Sequence, residues 1–478
     1  YYGASIADDD ITAFAHRRDR AFSPYPEGLT SEESLNIACL EYSTFGNGDF
    51  HNTAAALRKQ NGTAVTSAVY KTHTITKGKA PLPGLPASFA PEKQVQTLEI
   101  TLTDTFSGAL IVLRYSIFDD SDVIACSVKI VNKSKETIRI EKLMSAQLDF
   151  DSMQYDMVYL QGKWARERHA MRTPLQPGMQ GFRSARGSSG HQYNPGVVLA
   201  SKNATEQHGE VYGMLLLYSG SYAVEVEVDE YESTRAMIGI NRETFCWTLE
   251  KGAEFNSPEA LIMFSANGFS GLSAQSHAFL TDHVIRSPWK HVKRPILVNN
   301  WEATYFDFNE DKLVELMGDA VKLGVDMFLL DDGWFGNKYE RHSDTQGLGD
   351  WDETQHKLPH GIQKLVDEAA KRNIKFGIWI EPEMVSPKSE LYEKHKDWVI
   401  HLPNRDEYYF RNQMVLDLSN PEVQDFVFGV VDGLMTKYPG IAYFKWDCNS
   451  PITNIYSPYL KDLSLIHISE PTRQEAIS

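Results

Sequence analysis

The sequence is poor in cysteine and in positive charge, and it has no long apolar run. Its 4 Cys, at positions 39, 126, 246 and 448, show no C-x-x-C spacing and argue against a disulfide framework or a structural zinc site. Lys and Arg number 47 against 64 Asp and Glu, a formal charge of −17. Such a surface repels phosphate backbones and anionic lipid, so nucleic acid and membrane are not expected partners. No stretch approaches the ~18–20 apolar residues that span a bilayer. The glycine-rich turn of a dinucleotide site is missing too, since Gly46-Asn47-Gly48 has no third glycine and lies outside any βαβ pattern. What is present, 42% hydrophobic and 23% charged residues, is the composition of a globular protein with room for two or three domains.

From about residue 94 the apolar residues recur with period two, the mark of strands with one buried face. Leu98, Ile100 and Leu102 form one set, followed by Ile111, Leu113, Tyr115 and Ile117, then Ile124, Cys126, Val128 and Ile130. Turn-forming clusters such as Asp119-Asp120-Ser121 and Asn132-Lys133-Ser134 separate them. Farther on, Val224, Val226 and Val228 alternate with Glu225, Glu227 and Asp229, predicting an acidic outward face. Many strands at hairpin spacing predict a large antiparallel sandwich over about 1–265 and a connecting helix over 270–286.

Past Pro288 and Pro295 the pattern changes to alternating strands and helices. Strands are predicted at 296–300, 325–330, 375–381, 414–418 and 441–446, and helices near 309–323, 361–373 and 421–437. Continuous apolar strands imply a parallel sheet, and polar residues at their C-terminal ends imply a (β/α)8-type barrel with its site on that rim. The predicted class is therefore multidomain: an N-terminal antiparallel β-sandwich over 1–285, including the connector, followed by an incomplete (β/α)8 TIM barrel over 286–462.

The strand ends carry Asp331 and Asp332, Glu381 and Glu383, Asp417 and Asp447, with Trp301, Trp334, Trp379 and Trp446 between them. Aromatic faces beside carboxylates suit a sugar, which offers an apolar ring face and hydroxyl donors. A metal is the rival for so many carboxylates, but His342, His356, His360, His395 and His401 lack ligand spacing. Displacement by a carboxylate needs no cofactor, and none is expected.

Several runs carry a family resemblance: Asn300-Trp301-Glu302-Ala303-Thr304, Leu330-Asp331-Asp332-Gly333-Trp334-Phe335, Gly377 to Met384, Arg411-Asn412-Gln413 and Lys445-Trp446-Asp447-Cys448-Asn449. Gly48-Asp49-Phe50 and Trp164 to His169 fit as well. In this order they resemble glycoside hydrolase family 36, the α-galactosidases. The resemblance implies a retaining glycosidase acting on terminal α-galactosyl groups of sugars such as melibiose and raffinose, with Asp447 as nucleophile. It implies Asp331 and Asp332 as acceptors for sugar hydroxyls, Trp301 and Trp379 as pocket walls, and Arg411 and Asn449 as further hydroxyl contacts. Asp49 and Trp164 are implied to complete a pocket, either their own or that of another subunit in a homo-oligomer, a dimer or tetramer. Lys445 lies two residues before Asp447 on one strand face, where its ammonium is expected to pair with Asp447 and to bond a sugar hydroxyl. Glu381 and Glu383 are expected to support the site rather than react. A raffinose-building transglycosylase, an α-N-acetylgalactosaminidase and a non-catalytic galactoside-binding protein fit the same residues.

The family's general acid, an Asp some tens of residues beyond the nucleophile, has no match after Asp447. The resemblance also implies a nucleophile at the end of the fourth barrel strand, which makes 414–418 an extra segment within a loop and leaves four barrel strands where eight are needed. The expectation is a truncated and inactive copy. Leu463 to Arg473 resembles a translated sequencing-library adapter, so 463–478 is set aside as non-native. The chain starts at Tyr1 without Met, which leaves a preceding signal peptide open; scarce Cys favours the cytoplasm.

Overall fold

The computed structural model describes residues 23–460, so the adapter-like segment at 463–478 lies outside the described residues. The chain divides into two units between Arg286 and Ser287.

In the first unit two antiparallel sheets enclose one core. The larger sheet contains the ladder Val95–Asp104, Ala109–Phe118 and Ser121–Asn132; the smaller contains Ile138–Phe150, Thr234–Ile240 and Tyr222–Val228. Ile111, Leu113, Val128 and Ile130 from one sheet meet Ile140, Leu143, Val224 and Ile238 from the other. These are the period-two positions, as expected of sheets with one face toward a common core. The strand Ser121–Asn132 departs from that pattern because Val123 and Ala125, on its other face, are also buried. Helix Gly268–His283 covers them with Leu272 and Phe279. A strand buried on both sides reads as a continuous apolar run, and period two marks only one of its faces.

The predicted acidic outward face of Tyr222–Val228 is corrected. Glu225, Glu227 and the following Asp229 are covered by the segment around residues 49–52 and met by Lys142 of the strand Ile138–Phe150, two strands away in the sheet. The Lys142 ammonium pairs with Glu225, the Asn52 backbone N–H donates to Glu227 Oε2 at 2.6 Å, and His51 Nε2 lies 2.9 Å from Asp229 Oδ2. Asp49 sits at the centre of this network. Its Oδ1 is 2.5 Å from His51 Nδ1 and its Oδ2 accepts from Arg235 Nη1 at 2.6 Å. Arg235 also donates from Nε and Nη2 to the two oxygens of Asp149, each at 2.9 Å. Burial works against charge on Asp49, yet His51 and Arg235 hold its carboxyl below the usual carboxylate range. Burial likewise opposes a charge on His51, and its bonds to Asp229 and Asp49 still raise it above the ordinary imidazole value.

In the second unit four parallel strands, Leu297–Asn299, Met327–Leu330, Lys375–Ile380 and Ile441–Trp446, are neighbours in chain order. Met327–Leu330 is buried throughout, the state that its unbroken apolar run requires. Two of the helices between strands start at side-chain caps. The Asn309 side chain accepts from Lys312 N ahead of Glu310–Lys322, and the Asn420 side chain accepts from Glu422 N ahead of Pro421–Lys437, with Pro421 in the first turn. Their apolar stripes, with Leu313, Met317, Ile362, Leu365 and Leu434, pack with Phe328, Leu330 and Ile378.

The strand predicted at 414–418 shrinks to Met414–Val415, which pairs antiparallel with Met384–Val385 outside the parallel sheet. Its apolar residues are buried instead among Leu391, Trp398, Val423 and Val427, and burial of that kind reads the same in sequence as a barrel strand. Asp417 is thereby removed from the rim carboxylates: it is buried, and its Oδ1 accepts from Ser419 N at 3.0 Å. The fourth parallel strand pairs on one side only among the described residues, and its Tyr443 is 45% exposed.

The buried ion network of the first unit yields two outcomes. Arg235→Met strands Asp49 and Asp149 without their cation and should cost about 3–5 kcal/mol in urea denaturation followed by tryptophan fluorescence. The stabilisation from His51, measured as wild type minus His51→Gln, should be largest below about pH 6.5 and should fall as pH rises through the raised His51 value, because the folded state binds that proton more tightly.

Candidate active site

The C-terminal ends of the four parallel strands bring together residues from five chain segments. After Met327–Leu330 the chain turns at once: Gly333 has φ +106°, a conformation closed to side-chain-bearing residues without strain, and a Cβ there would stand 3.0 Å from the Phe306 ring. The turn allows adjacent Asp331 and Asp332 to reach partners on different sides. Asp331 Oδ2 accepts from the Lys445 ammonium at 2.7 Å and from the Asn299 amide, while its backbone N–H donates to Asn300 Oδ1 at 2.8 Å. Asp332 is gripped by Arg341, with Nε to Oδ1 at 3.0 Å and Nη2 to Oδ2 at 2.8 Å, and both side chains are buried. Burial pushes the Asp332 carboxyl up, and Arg341 draws it back.

The pairing of Lys445 differs from the expectation. Its ammonium binds Asp331 on the second strand, not Asp447 on its own. Same-face neighbours two apart point in parallel rather than at each other, whereas a long side chain can reach across the sheet to a carboxylate on another strand end. Asp447 is half-buried and held by neutral donors. Its Oδ2 accepts from Trp379 Nε1 at 3.1 Å and from Asn449 Nδ2 at 2.8 Å; its Oδ1 accepts from the Cys448 backbone N–H at 3.2 Å. Trp379 is only 2% exposed, so its indole acts here mainly through that N–H and through stacking on Phe335. Trp301 is partly exposed and meets Tyr305 and Phe306 edge-on at 5.2 and 5.0 Å.

Glu381 and Glu383 occupy the turn after the third strand, both buried. Glu381 Oε1 accepts from the Asn449 backbone N–H at 2.7 Å, and Glu383 Oε2 accepts from Trp446 Nε1 at 2.6 Å. Burial, and then the like charge of Glu383, pushes Glu381 up to about 8. Arg411 is exposed, and its charge acts on Asp332. Arg411 and Asn412 have consecutive left-handed conformations, φ +51° and +60°, which for residues with side chains costs of order 1–3 kcal/mol each at this loop.

Asp49 and Trp164 belong to the first unit. Asp49 is buried in the network with Arg235 and His51, and both its oxygens are engaged there. Trp164 stands at the tip of the hairpin between Tyr155–Lys163 and Arg166–Pro174, 84% exposed.

Three residues absent from the sequence expectations shape the site. Arg341 neutralises Asp332; Lys357 donates to the carbonyls of Gly333 and Arg341, each at 2.9 Å; Asn299 holds Asp331. Strand alignment could have found Asn299, since the parallel register sets it against Leu329, two residues before Asp331. Arg341 and Lys357 lie in a long loop without periodicity, and nothing in their spacing marks them. Among the described residues no cluster of three or more His, Cys, Asp or Glu could hold a metal ion. Arg341→Met should leave Asp332 buried without its cation and lower the unfolding free energy by about 3–5 kcal/mol, as measured by chemical denaturation at pH 7.

Comparison with known proteins identifies the family. The model for the glycosyl hydrolase family 36 N-terminal domain matches residues 1–250, and that for Melibiase matches 254–468. Alpha-galactosidase AgaA of Geobacillus stearothermophilus is 42% identical over 461 residues, covering 96% of this chain and 63% of that protein. The bifunctional alpha-galactosidase/sucrose kinase AgaSK of Mediterraneibacter gnavus is 41% identical over 461 residues, covering 96% of this chain and 49% of that one. This chain thus spans roughly half to two-thirds of the length of these relatives. The crystal structure of AgaA superposes with a TM-score of 0.96 at 40% identity over all of this chain and 67% of that one; an AgaA variant in complex with raffinose gives 0.95. Two family models that between them cover most of the chain, relatives more than 40% identical over nearly all of it and the superposition agree: the chain belongs to glycoside hydrolase family 36.

Proposed function

We propose that this chain is the nucleophile-bearing part of a retaining α-galactosidase, which releases terminal α-D-galactosyl groups from oligosaccharides such as melibiose and raffinose by double displacement. The observation that carries the reading is the state of Asp447. Both side-chain donors, Trp379 and Asn449, act on Oδ2 and fix the carboxylate plane, while Oδ1 accepts only the longer bond from Cys448 among the described residues. Oδ1 is therefore the atom that attacks the anomeric carbon, in an orientation already set before substrate arrives. The Lys445–Asp331 pair and the buried Asp332 offer a donor and fixed acceptors to sugar hydroxyls. An epimer with the wrong hydroxyl leaves such a carboxylate unpaired, which supports selection for galactose. AgaA variants in complex with raffinose and with stachyose support α-galactosides as the substrate class.

Double displacement needs a second carboxyl about 5–5.5 Å from the nucleophile to protonate the leaving oxygen. Glu381 and Glu383 are committed to Asn449 and Trp446. We assign the acid to an Asp outside these 478 residues, so that turnover belongs to a longer protein. That longer protein should hydrolyse p-nitrophenyl α-galactoside. In it, Asp447→Ala should lower kcat by about 10³-fold or more, and azide should restore part of the rate with β-galactosyl azide as product. Unchanged turnover would overturn the nucleophile assignment, and measurable hydrolysis by the 478-residue polypeptide alone would overturn the placement of the acid.

A further inference from the structure

Glu381 takes no part in the displacement, yet it is 1% exposed and lies against the end of the strand that carries Asp447. The backbone ladder between the third and fourth parallel strands runs as far as the bond from Asp447 N–H to the Ile380 carbonyl at 2.9 Å. In a parallel ladder the next bond would run two residues on, from Asn449 N–H to the carbonyl of residue 382. Residue 382 is proline, at the turn where the chain leaves the sheet. Asn449 N–H instead donates to Glu381 Oε1 at 2.7 Å, so a side-chain oxygen takes the place that a ladder carbonyl would fill. The side chain of the same Asn449 then donates to Asp447 Oδ2 at 2.8 Å.

We propose that Glu381 is a positioning residue for the nucleophile, acting through Asn449. It holds the Asn449 backbone beyond the end of the sheet so that the Asn449 amide keeps Asp447 in its attacking orientation. The inference rests on Asp447 being the nucleophile. Half-exposed Asp447 would rotate about its side-chain bonds without a donor fixed in place. Burial and the neighbouring Glu383 keep the Glu381 carboxyl largely neutral at pH 7, which lets its carbonyl oxygen accept the N–H without setting a second negative charge beside Asp447. The position thus asks for a buried acceptor rather than for a charge.

The test uses the longer, active protein. Glu381→Met keeps the volume and removes the acceptor; kcat should fall about 10–100-fold, with KM for p-nitrophenyl α-galactoside changing less than threefold. Glu381→Gln keeps an acceptor oxygen and should restore kcat to within about threefold of wild type. Asn449→Ala should lower kcat by a similar factor, and adding Glu381→Met to it should cost little more, because the link between the two is already cut. Additive losses in the double variant, or a Gln variant as impaired as the Met variant, would overturn the proposal. If Glu381→Met does not fold, judged by near-ultraviolet circular dichroism, the Gln variant and Asn449→Ala still decide: full activity in Asn449→Ala would refute the link. Loss of activity in Asp447→Ala with azide rescue, alongside unchanged kcat in Glu381→Met, would defeat this inference alone; full activity in Asp447→Ala would defeat the reading on which it rests.

Discussion

Five carboxylates converge on the rim of one parallel sheet, and none can be buried there without a donor. That constraint organises the second unit. Asp331 is held by Lys445 and Asn299, Asp332 by Arg341, Glu381 by the Asn449 backbone, Glu383 by the Trp446 indole and Asp447 by Trp379 and Asn449. Each partner comes from a different strand end or loop than the carboxylate it serves, except Arg341 toward Asp332, which share the loop after the second strand, and Asn449 toward Asp447. The ion pairs and hydrogen bonds therefore fasten the strands to one another at the level where a sugar would bind, and the cost of burying charge is offset by bonds that also fix geometry.

The partners also separate the carboxylates into kinds. Those given a cation, Asp331 and Asp332, stay as fixed acceptors. Asp447, given only neutral donors on one oxygen, keeps the other available for chemistry. Glu381, buried beside Glu383, is raised to about 8 and serves best as a neutral acceptor. One residue type thus fills three roles, and the surroundings assign them.

The first unit meets the same constraint with a different solution. Its buried acids, Asp49, Asp149 and Asp229, surround Arg235 and His51 in a closed network inside the sandwich. Such a network specifies how the segment around residues 49–52 docks on the strands more than it adds to stability, because paired buried charge roughly balances its own desolvation.

Much of this was legible in the sequence. Period two marked the sandwich strands, and continuous apolar runs marked the parallel strands, because each pattern reflects a local rule of backbone or burial. The strand-end motifs from Asn300 to Asn449 identified the family and its rim. The apolar run at 414–418 looks by itself like another strand of the parallel sheet, since apolar content reports burial and not the partner that provides it; only the family's strand order marks it as a segment within a loop, where Met414–Val415 is found. The acidic residues 225, 227 and 229 were misread as solvated for the converse reason: alternation assumes that the polar face meets water, and here it meets Lys142, His51 and Asn52. The sequence alone therefore determined which residues stand at the strand ends, a matter of short-range periodicity. Tertiary structure decided which charge answers which. Lys445 reaches Asp331 rather than Asp447 because that pairing depends on distances across the sheet between residues 114 positions apart, and Arg341 reaches Asp332 because a long aperiodic loop folds back on its own start.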